Sequence, residues 1–274
     1  MRVAGVPAWV DAPTLLGRSG WRRDDDAWCA ELDGASAADV AARLRGVGLG
    51  GALVVVAVDP PLSRDLVRAA RADDARRRRV TSPGFSRSAT RLDAEGRYSL
   101  TPEALAVALA RRVVASGAAT VVDAGCGAGG NTIAFASSGL SVVAIERDAA
   151  RLADARHNAR RYGVDDRVRW VHGDAVALVG RLRADALFVD PPWGEAWDRA
   201  RTSLAAVPPL AEVLAAAVGR YARAWVKLPP SFDPAELPGF AFAAAFGVAD
   251  GDRRRVKFVV ADGPLGGRSG RAAV

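Results

Sequence analysis

The sequence predicts an α/β fold in which a doubly wound, mostly parallel sheet follows a small α/β module and closes with an antiparallel strand pair. Short apolar strands alternate with helices from residue 120 to residue 227, the order that gives parallel strands with right-handed crossovers. A glycine-rich turn follows the first of these strands, where such sheets bind nucleotide-type ligands. The last two apolar segments, residues 240–248 and 254–261, follow one another directly, which is typical of antiparallel neighbours.

Residues 1–79 predict a separate small module with the order β-α-β-α. A compact β-branched run ending at Val58 is typical of a buried strand. Ser36 is a suitable N-cap for the first helix, and the second helix ends in four consecutive arginines. The predicted elements of the module are strands over residues 27–32 and 52–58 and helices over residues 37–44 and 63–79.

Residues 80–262 predict the main domain. Thr101 and Pro102 open its first helix, as N-cap and first helical residue. Residues 263–274 are rich in glycine and arginine and predict a flexible tail. The predicted strands cover residues 120–123, 141–146, 168–172, 186–190 and 222–227, and the predicted helices cover residues 102–114, 131–137, 149–162, 175–182 and 203–218.

The chain has 274 residues, a formal net charge of +7 and a pI of about 10.3, and nearly all of its positive charge is arginine. Attraction to nucleic acid and the composition of a GC-rich genome both explain this balance, so both interpretations stay open. Cys29 and Cys126 suggest no disulfide framework, and His157 and His172 are too few for a metal site. With no secretory signal and no long apolar run, we expect a cytoplasmic protein without membrane contact.

The strongest local signal is the sequence DAGCGAGGN, which follows the first strand of the main domain. Its glycines permit positive φ angles and a close approach of a ligand to the backbone. The spacing also fits a dinucleotide fingerprint, but Asp123 at the strand tip would repel a pyrophosphate. The same carboxylate can pair with the ammonium of a methionine moiety, which favours S-adenosylmethionine as the cofactor. The predicted contacts in this loop are Asp123, Gly125, Gly127, Gly129 and Asn131.

Two further carboxylates follow the next strands. Glu146 ends the second strand, where an acid accepts hydrogen bonds from the ribose hydroxyls of a nucleotide. Asp174 follows the third strand and can reach an adenine amino group. The structural alternative for Glu146 is a solvated acid at a strand end, and the alternative for Asp174 is a helix N-cap.

The sequence Asp-Pro-Pro-Trp follows the fourth strand, at the sheet edge where ligands bind in open α/β folds. The exocyclic amine of a purine is a poor nucleophile, since its lone pair is delocalised into the ring. The Asp190 carboxylate and the Pro191 carbonyl can accept its hydrogens and orient it for methyl transfer. Trp193 offers a face on which a base can stack, and Trp197 lies close behind it. The pattern predicts an S-adenosylmethionine-dependent N-methyltransferase.

Longer motifs add a family resemblance. The chain contains FSR at residues 85–87, LDAEGRYSLTPE at residues 92–103, the loop described above, and PPWG at residues 191–194. Over residues 85–197 it resembles the trimethylguanosine synthases, which are RNA cap guanine-N2 methyltransferases. The segment before the cofactor loop is the specific part of this resemblance.

The resemblance implies a Rossmann-like class I methyltransferase fold, S-adenosylmethionine as cofactor, and the N2 amine of guanine in RNA as acceptor. It implies that Ser99 and Thr101 line the methionine end of the cofactor. It also implies that Trp193 stacks on the guanine, with Phe85 near the same pocket. One position departs from the family, because Asp190 stands where the family has serine.

Three alternatives stay open. An adenine-N6, other base-amine or small-molecule N-methyltransferase is the first, because aspartate is common before Pro-Pro-Trp in amine methyltransferases. One adenine-N6 class places that motif before the cofactor loop, whereas here the motif follows it. A nucleic-acid-binding module without turnover and a nicotinamide-dependent oxidoreductase are the others.

Overall fold

The computed structural model describes residues 1–17, 20–193 and 197–265. The amino-terminal elements are β1 Arg2–Ala4, α1 Ala12–Leu16, β2 Arg22–Asp24, β3 Ala27–Cys29, α2 Gly34–Leu44, β4 Gly48–Leu49, β5 Ala52–Leu53, β6 Val55–Ala57 and α3 Arg64–Arg77. The remaining elements are α4 Gly96–Ser99, α5 Glu103–Ala115, β7 Thr120–Ala124, α6 Gly130–Ser137, β8 Ser141–Glu146, α7 Ala149–Tyr162, β9 Val168–His172, α8 Ala175–Val179, β10 Ala184–Val189, α9 Leu210–Ala217, β11 Tyr221–Leu228, β12 Ala241–Phe246 and β13 Val256–Pro264.

The main sheet has seven strands in the order β12-β13-β11-β10-β7-β8-β9. Strands β7 to β11 are parallel, and β13 is antiparallel to both β11 and β12. This arrangement confirms the predicted fold class. The chain order reverses between β7 and β10, so a crevice opens there at the carboxyl ends of the strands.

Two apolar cores lie on the opposite faces of this sheet. Helices α5, α6 and α7 cover one face, where Phe135 packs edge-to-face on Phe188 with ring centroids 5.2 Å apart. Helices α8 and α9 cover the other face, around Leu187 and Val226. Burying each of these large side chains stabilises the fold by about 1.5–3 kcal/mol. The packed faces hold the strand ends rigidly in register.

A four-stranded antiparallel sheet, β2-β3-β1-β6, and helices α1 to α3 form the amino-terminal module. Its apolar core packs against Phe246 and Val256 of the main sheet. The predicted buried strand over residues 52–58 is wrong. It divides into β5, which pairs with β4 in a separate two-stranded sheet, and β6, the edge strand of the module sheet. Leu53 and Val55 are exposed because each lies in a short strand at the edge of its sheet.

Other predicted boundaries also change. The helix expected over residues 203–218 begins only at Leu210, because prolines 208 and 209 lack a backbone donor and disfavour the helical conformation before them. Asp33, not Ser36, caps α2 and accepts from the Ser36 backbone N–H. Gly263, expected in the tail, lies in β13 and pairs with Ala224 of β11. The rest of the predicted tail, residues 266–274, lies outside the described residues.

Among the residues that the structure describes, no helix is both long enough and apolar enough to cross a membrane.

Candidate active site

The carboxyl ends of four parallel strands bring most of the predicted site residues to one edge of the main sheet. Asp123 lies in β7, Glu146 ends β8, and Asp190 follows β10. Val189 of β10 pairs with Val226 of β11, so the residues that follow them lie side by side. Those two residues are Asp190 and Lys227.

The glycine-rich loop between β7 and α6 has the backbone geometry that the sequence predicts. Gly125, Gly127 and Gly129 have φ angles of +96°, +55° and +88°, which side chains with a Cβ rarely adopt. The Gly125 and Cys126 N–H groups donate to the carbonyl of Ile145 at 3.0 and 2.8 Å. These bonds fix the loop to the end of β8 and leave a backbone-lined surface.

The Asp123 carboxyl is buried beneath this loop. The Thr132 hydroxyl donates to Oδ2, while Oδ1 has no partner among the described residues. Burial and, to a smaller extent, the negative charges of Asp190 and Glu146 raise the pKa of Asp123 to about 7, against the lowering effect of the Thr132 hydrogen bond. A buried acceptor without a donor is costly, so this atom fits an incoming cationic donor.

The Glu146 carboxylate is also buried, and it accepts two backbone hydrogen bonds. The Gly127 N–H donates to Oε2 and the Asp148 N–H donates to Oε1, both at 3.0 Å. Since a carboxylate has about four lone-pair sites, it keeps capacity for two hydroxyl donors. Its geometry therefore agrees with the predicted ribose contact.

Asp190 lies in a network of side chains from four elements. The Lys227 ammonium donates to Asp190 Oδ2 at 2.8 Å, and Asn131 Nδ2 donates to the same oxygen at 3.3 Å. Asn131 also donates to the Thr101 hydroxyl at 3.1 Å, and its own Oδ1 is buried with no partner among the residues that the structure describes. Both donors hold Oδ2, which leaves Oδ1 available to a ligand.

Two tryptophans stand next to this network. The rings of Trp193 and Trp197 meet edge-to-face with centroids 6.0 Å apart. The Lys227 ammonium lies 5.4 Å from the centroid of Trp193, within the range of a cation–π contact. Trp197, expected from its position in the sequence, is thus brought to the site. Gly194, the last residue of the PPWG motif, lies outside the described residues.

Two predicted residues lie at the margin of the site. Ser99 has an exposed side chain and approaches the network through its carbonyl, 3.5 Å from the Lys227 ammonium. Asp174 is exposed and caps α8 by accepting from the Val176 N–H at 2.8 Å. The capping alternative is therefore correct for this residue, and its adenine contact stays a prediction.

Phe85 lies in a different place from the tryptophans. Its ring packs on Tyr162 with centroids 5.8 Å apart. The two rings line a small cavity of about 100 Å³ that also contacts Thr101 and Gly130. Within the described part of the chain, Phe85 has no ring contact with Trp193 or Trp197, so the structure does not bring it to their face.

Lys227 is the site residue that the sequence reasoning missed. Its side chain is 7% exposed, so its charge is held inside the protein against Asp190. The available signal was its rarity, since it is one of only two lysines in an arginine-rich chain. Its position at the end of a predicted strand, beside the Asp190 strand, is the second clue.

Within residues 1–17, 20–193 and 197–265, the histidines, cysteines and acidic residues form no group that could hold a metal ion.

Part of the chain that contains this site is similar in sequence to known proteins. Residues 118–202 match the family described as RNA cap guanine-N2 methyltransferase. The chain is 39% identical over 110 residues to a trimethylguanosine synthase of Schizosaccharomyces pombe, covering 38% of this chain and 46% of that protein. It is 37% identical over 104 residues to the corresponding Saccharomyces cerevisiae protein, covering 35% and 33%. The chain thus spans less than half of each relative.

Solved structures with related folds include TrmN from Thermus thermophilus, with 25% identity and a TM-score of 0.42 over 61% of this chain and 49% of that one. An RNA methyltransferase from Salinibacter ruber in complex with S-adenosyl-L-homocysteine has 18% identity and a TM-score of 0.41 over 58% and 91%.

The resemblance inferred from the sequence is confirmed over residues 118–202. Over this segment the chain is similar to RNA cap guanine-N2 methyltransferases, a class of enzymes that uses S-adenosylmethionine. The matched segment contains the glycine-rich loop, both buried carboxylates and the Asp-Pro-Pro-Trp motif.

Proposed function

We propose that this chain is an S-adenosylmethionine-dependent methyltransferase that modifies the exocyclic N2 amine of a guanine in RNA. The observation that carries the proposal is Asp190, whose Oδ2 is held by Lys227 and Asn131 beside the loop that follows β7. The similarity to trimethylguanosine synthases supports guanine and RNA as the acceptor. A relative from Gloeobacter violaceus, 41% identical over 90 residues, is described as an RNA methyltransferase.

The residues present fit this cofactor. Asp123 Oδ1 and Asn131 Oδ1 are buried acceptors without donors in the described part of the chain, and an ammonium group has three donors to offer. Glu146 would accept the ribose hydroxyls, and Gly125 and Gly127 give the backbone room to approach. Bound there, S-adenosylmethionine supplies a methyl group on a good leaving group.

The protein's part in the reaction is to position and polarise the amine. Asp190 Oδ1 and the Pro191 carbonyl accept the two hydrogens of the exocyclic nitrogen, which draws its lone pair out of conjugation with the ring. As the nitrogen gains the methyl carbon it loses one proton, and Asp190 is the carboxylate that accepts it. Lys227 holds Asp190 in place, and Trp193 stacks on the base.

Methylation of the N6 amine of adenine is the second candidate, and one observation favours it. Asp190 occupies the position at which trimethylguanosine synthases have serine. The same pair of acceptors can orient an adenine amine, so the choice between the two bases depends on contacts to the rest of the ring. Chemical identification of the product separates the two candidates.

The test uses purified protein, tritium-labelled S-adenosylmethionine and total RNA, with the labelled nucleoside identified by mass after digestion. We expect label in N2-methylguanosine and a loss of at least about 100-fold in the Asp190→Asn variant, as for other groups that position a reacting atom. Asp26→Asn, a highly exposed aspartate that pairs with Arg2, is the matched control and should retain activity.

Label in N6-methyladenosine would transfer the assignment to the second candidate. Absence of label from RNA, with the cofactor bound by calorimetry, would overturn RNA as the acceptor. Full activity of Asp190→Asn would overturn the role of the carboxylate.

A further inference from the structure

A second cavity lies between the amino-terminal module and the main domain, outside the candidate active site. Its volume is about 260 Å³, whereas one water molecule needs roughly 10–15 Å³ by the same measure. Helices α2 and α3 and the segment between β12 and β13 form its walls. The lining residues are Arg43, Arg77, Asp250, Gly251, Arg253, Arg254 and Arg255.

The walls of this cavity carry five arginines and one aspartate. Carboxylates packed around the walls neutralise part of this charge. Asp39 binds both Arg43 and Arg77, Asp74 binds Arg255, and Asp250 binds Arg253. Arg254 has neither a carboxylate nor a hydrogen-bond acceptor in contact with it in the part of the chain that the structure describes.

The buried position of Arg43 shows that the cavity is built around fixed charge. Its guanidinium donates to the carbonyls of Leu15 and Leu16 at 2.7 and 3.0 Å and to Asp39 at 3.1 Å. Burial lowers the pKa of Arg43, and repulsion from Arg254 and Arg255 lowers it further against the attraction of Asp39. The five wall arginines outnumber the four carboxylates that pair with them, Asp39, Asp73, Asp74 and Asp250, so the walls carry a net positive charge.

Backbone packing keeps the two sides of the cavity together. A Cβ atom on Gly251 would lie 1.9 Å from the Arg77 carbonyl oxygen, and one on Gly17 would lie 2.4 Å from Arg254 Nε. The turn that carries Arg253 to Arg255 thus lies directly on α3 and on the end of α1. The Arg254 guanidinium packs against Gly17 before any ligand arrives, which reduces the entropy that this side chain loses on binding.

We infer that this arginine cavity is a binding site for phosphate groups. The guanidinium fork matches a phosphate with paired hydrogen bonds, and Arg254 is the fork that no acceptor among the described residues engages. Backbone phosphates of an RNA acceptor and free polyphosphates share this chemistry. For RNA the inference rests on the proposed function, and it gives the amino-terminal module a role in holding the nucleic acid away from the reacting base.

The test measures binding by the full chain, without methyl transfer. A labelled single-stranded oligoribonucleotide is titrated by fluorescence anisotropy at several salt concentrations, and inorganic pyrophosphate is titrated by calorimetry. We expect Arg254→Gln to weaken oligoribonucleotide binding about 3- to 10-fold and to lower the slope of log affinity against log salt by about 0.7. Arg68→Gln, an exposed α3 arginine paired with Asp65, removes the same charge elsewhere and should not change either value.

Arg254→Lys, which keeps the charge, should retain most of the binding. S-adenosylmethionine affinity and melting temperature establish that each variant is folded. If Arg254→Gln does not fold, Arg253→Gln is tested in its place. A loss confined to pyrophosphate would identify free polyphosphate as the ligand, and a loss of RNA binding would identify the nucleic acid. Unchanged affinity for both ligands would overturn the inference, whether or not RNA is methylated.

Discussion

The Asp123 carboxyl couples cofactor binding to pH. Burial raises its pKa to about 7, so below that pH the group is neutral and cannot pair with an ammonium. We therefore expect S-adenosylmethionine affinity to rise as the pH increases from about 6 to about 7.5, by up to tenfold for one linked proton. Calorimetry at about pH 6 in buffers of different ionisation enthalpy would show close to one proton released on binding, and fewer at higher pH.

Asp123→Asn is the control, because an amide keeps the hydrogen bond to Thr132 but does not titrate. Its affinity should be low and independent of pH over this range. The raised pKa of Asp123 affects the stability of the protein without cofactor in the opposite direction, because stability falls as the pH increases. The folded chain binds this proton more tightly than the unfolded chain, so this group's contribution to stability is lost as the pH rises from about 4 to about 7. A variant with the same pH profile as the wild type would contradict this account.

The Lys227 ammonium neutralises the Asp190 carboxylate, which is proposed to accept the hydrogens of the exocyclic amine. Replacing it with methionine leaves Asp190 part-buried without its ion pair, and a hydrogen bond to a charged group contributes about 1.5–3 kcal/mol. We expect Lys227→Met to lower kcat on guanine-containing RNA about 10- to 100-fold. Lys257→Met, which removes the chain's other lysine and its contact with Asp252 at 3.2 Å, should have a much smaller effect on kcat.

The same ammonium should discriminate between neutral and cationic bases. It lies 5.4 Å from the centroid of Trp193, so a 7-methylguanine stacked on that ring would bring a second positive charge close to it. We expect a preference for unmethylated guanine in competition assays with the two nucleosides in RNA. In Lys227→Met the ratio of kcat/KM values should shift toward the cationic base, and an unchanged ratio would contradict this role.

At the scale of elements, the glycine-rich loop lies tightly on α7. Gly129 has φ +88°, and a Cβ there would lie 3.2 Å from the Ala155 Cβ and 3.3 Å from its carbonyl oxygen. Gly117 has nearly the same φ, +87°, but an added Cβ would meet nothing within 4 Å. The two positions share the backbone strain of a left-handed residue, about 1–2 kcal/mol, and differ only in packing.

We expect Gly129→Ala to lower the free energy of unfolding by about 1–3 kcal/mol more than Gly117→Ala, because of overpacking against α7. It should also weaken S-adenosylmethionine binding, whereas Gly117→Ala should not. Urea denaturation and calorimetry check both values. Equal destabilisation in the two variants would contradict the prediction, because it would mean that α7 shifts to accommodate the added methyl group without a loss of stability.

Local signals predicted the elements of the main sheet closely, and non-local contacts explain the remainder. The bounds of β8, α7 and β9 agree with the sequence prediction, because capping by Asp148 and a left-handed Gly163 are encoded nearby. Exposure of Leu53 and Val55 depends on which strands lie at the edges of their sheets, and no local pattern contains that information. The Asp190–Lys227 pair joins residues 37 positions apart. The pair can be predicted only when it is known that β10 and β11 are neighbours in the sheet.

At the scale of the whole molecule, Trp9 joins the module to the main domain. It packs against the apolar cores of both, and its ring lies 6.2 Å from that of Phe242 in β12. The Gly50 N–H also donates to the Pro230 carbonyl at 3.0 Å across the same interface. A shared apolar interface makes the two parts unfold together, since exposing it costs free energy in either part.

We expect one unfolding transition, with amides of β1 and β11 exchanging hydrogen with the same free energy. Trp9→Ala should remove about 2–4 kcal/mol and let β1 exchange before β11. Trp28→Ala is the matched control, because among the described residues Trp28 packs against the module core and not against the two cores of the main sheet, so both strands should lose stability equally. If β1 already exchanged far faster than β11 in the wild type, the module would be an independent unit, and the arginine cavity between the two parts would open whenever the module unfolds.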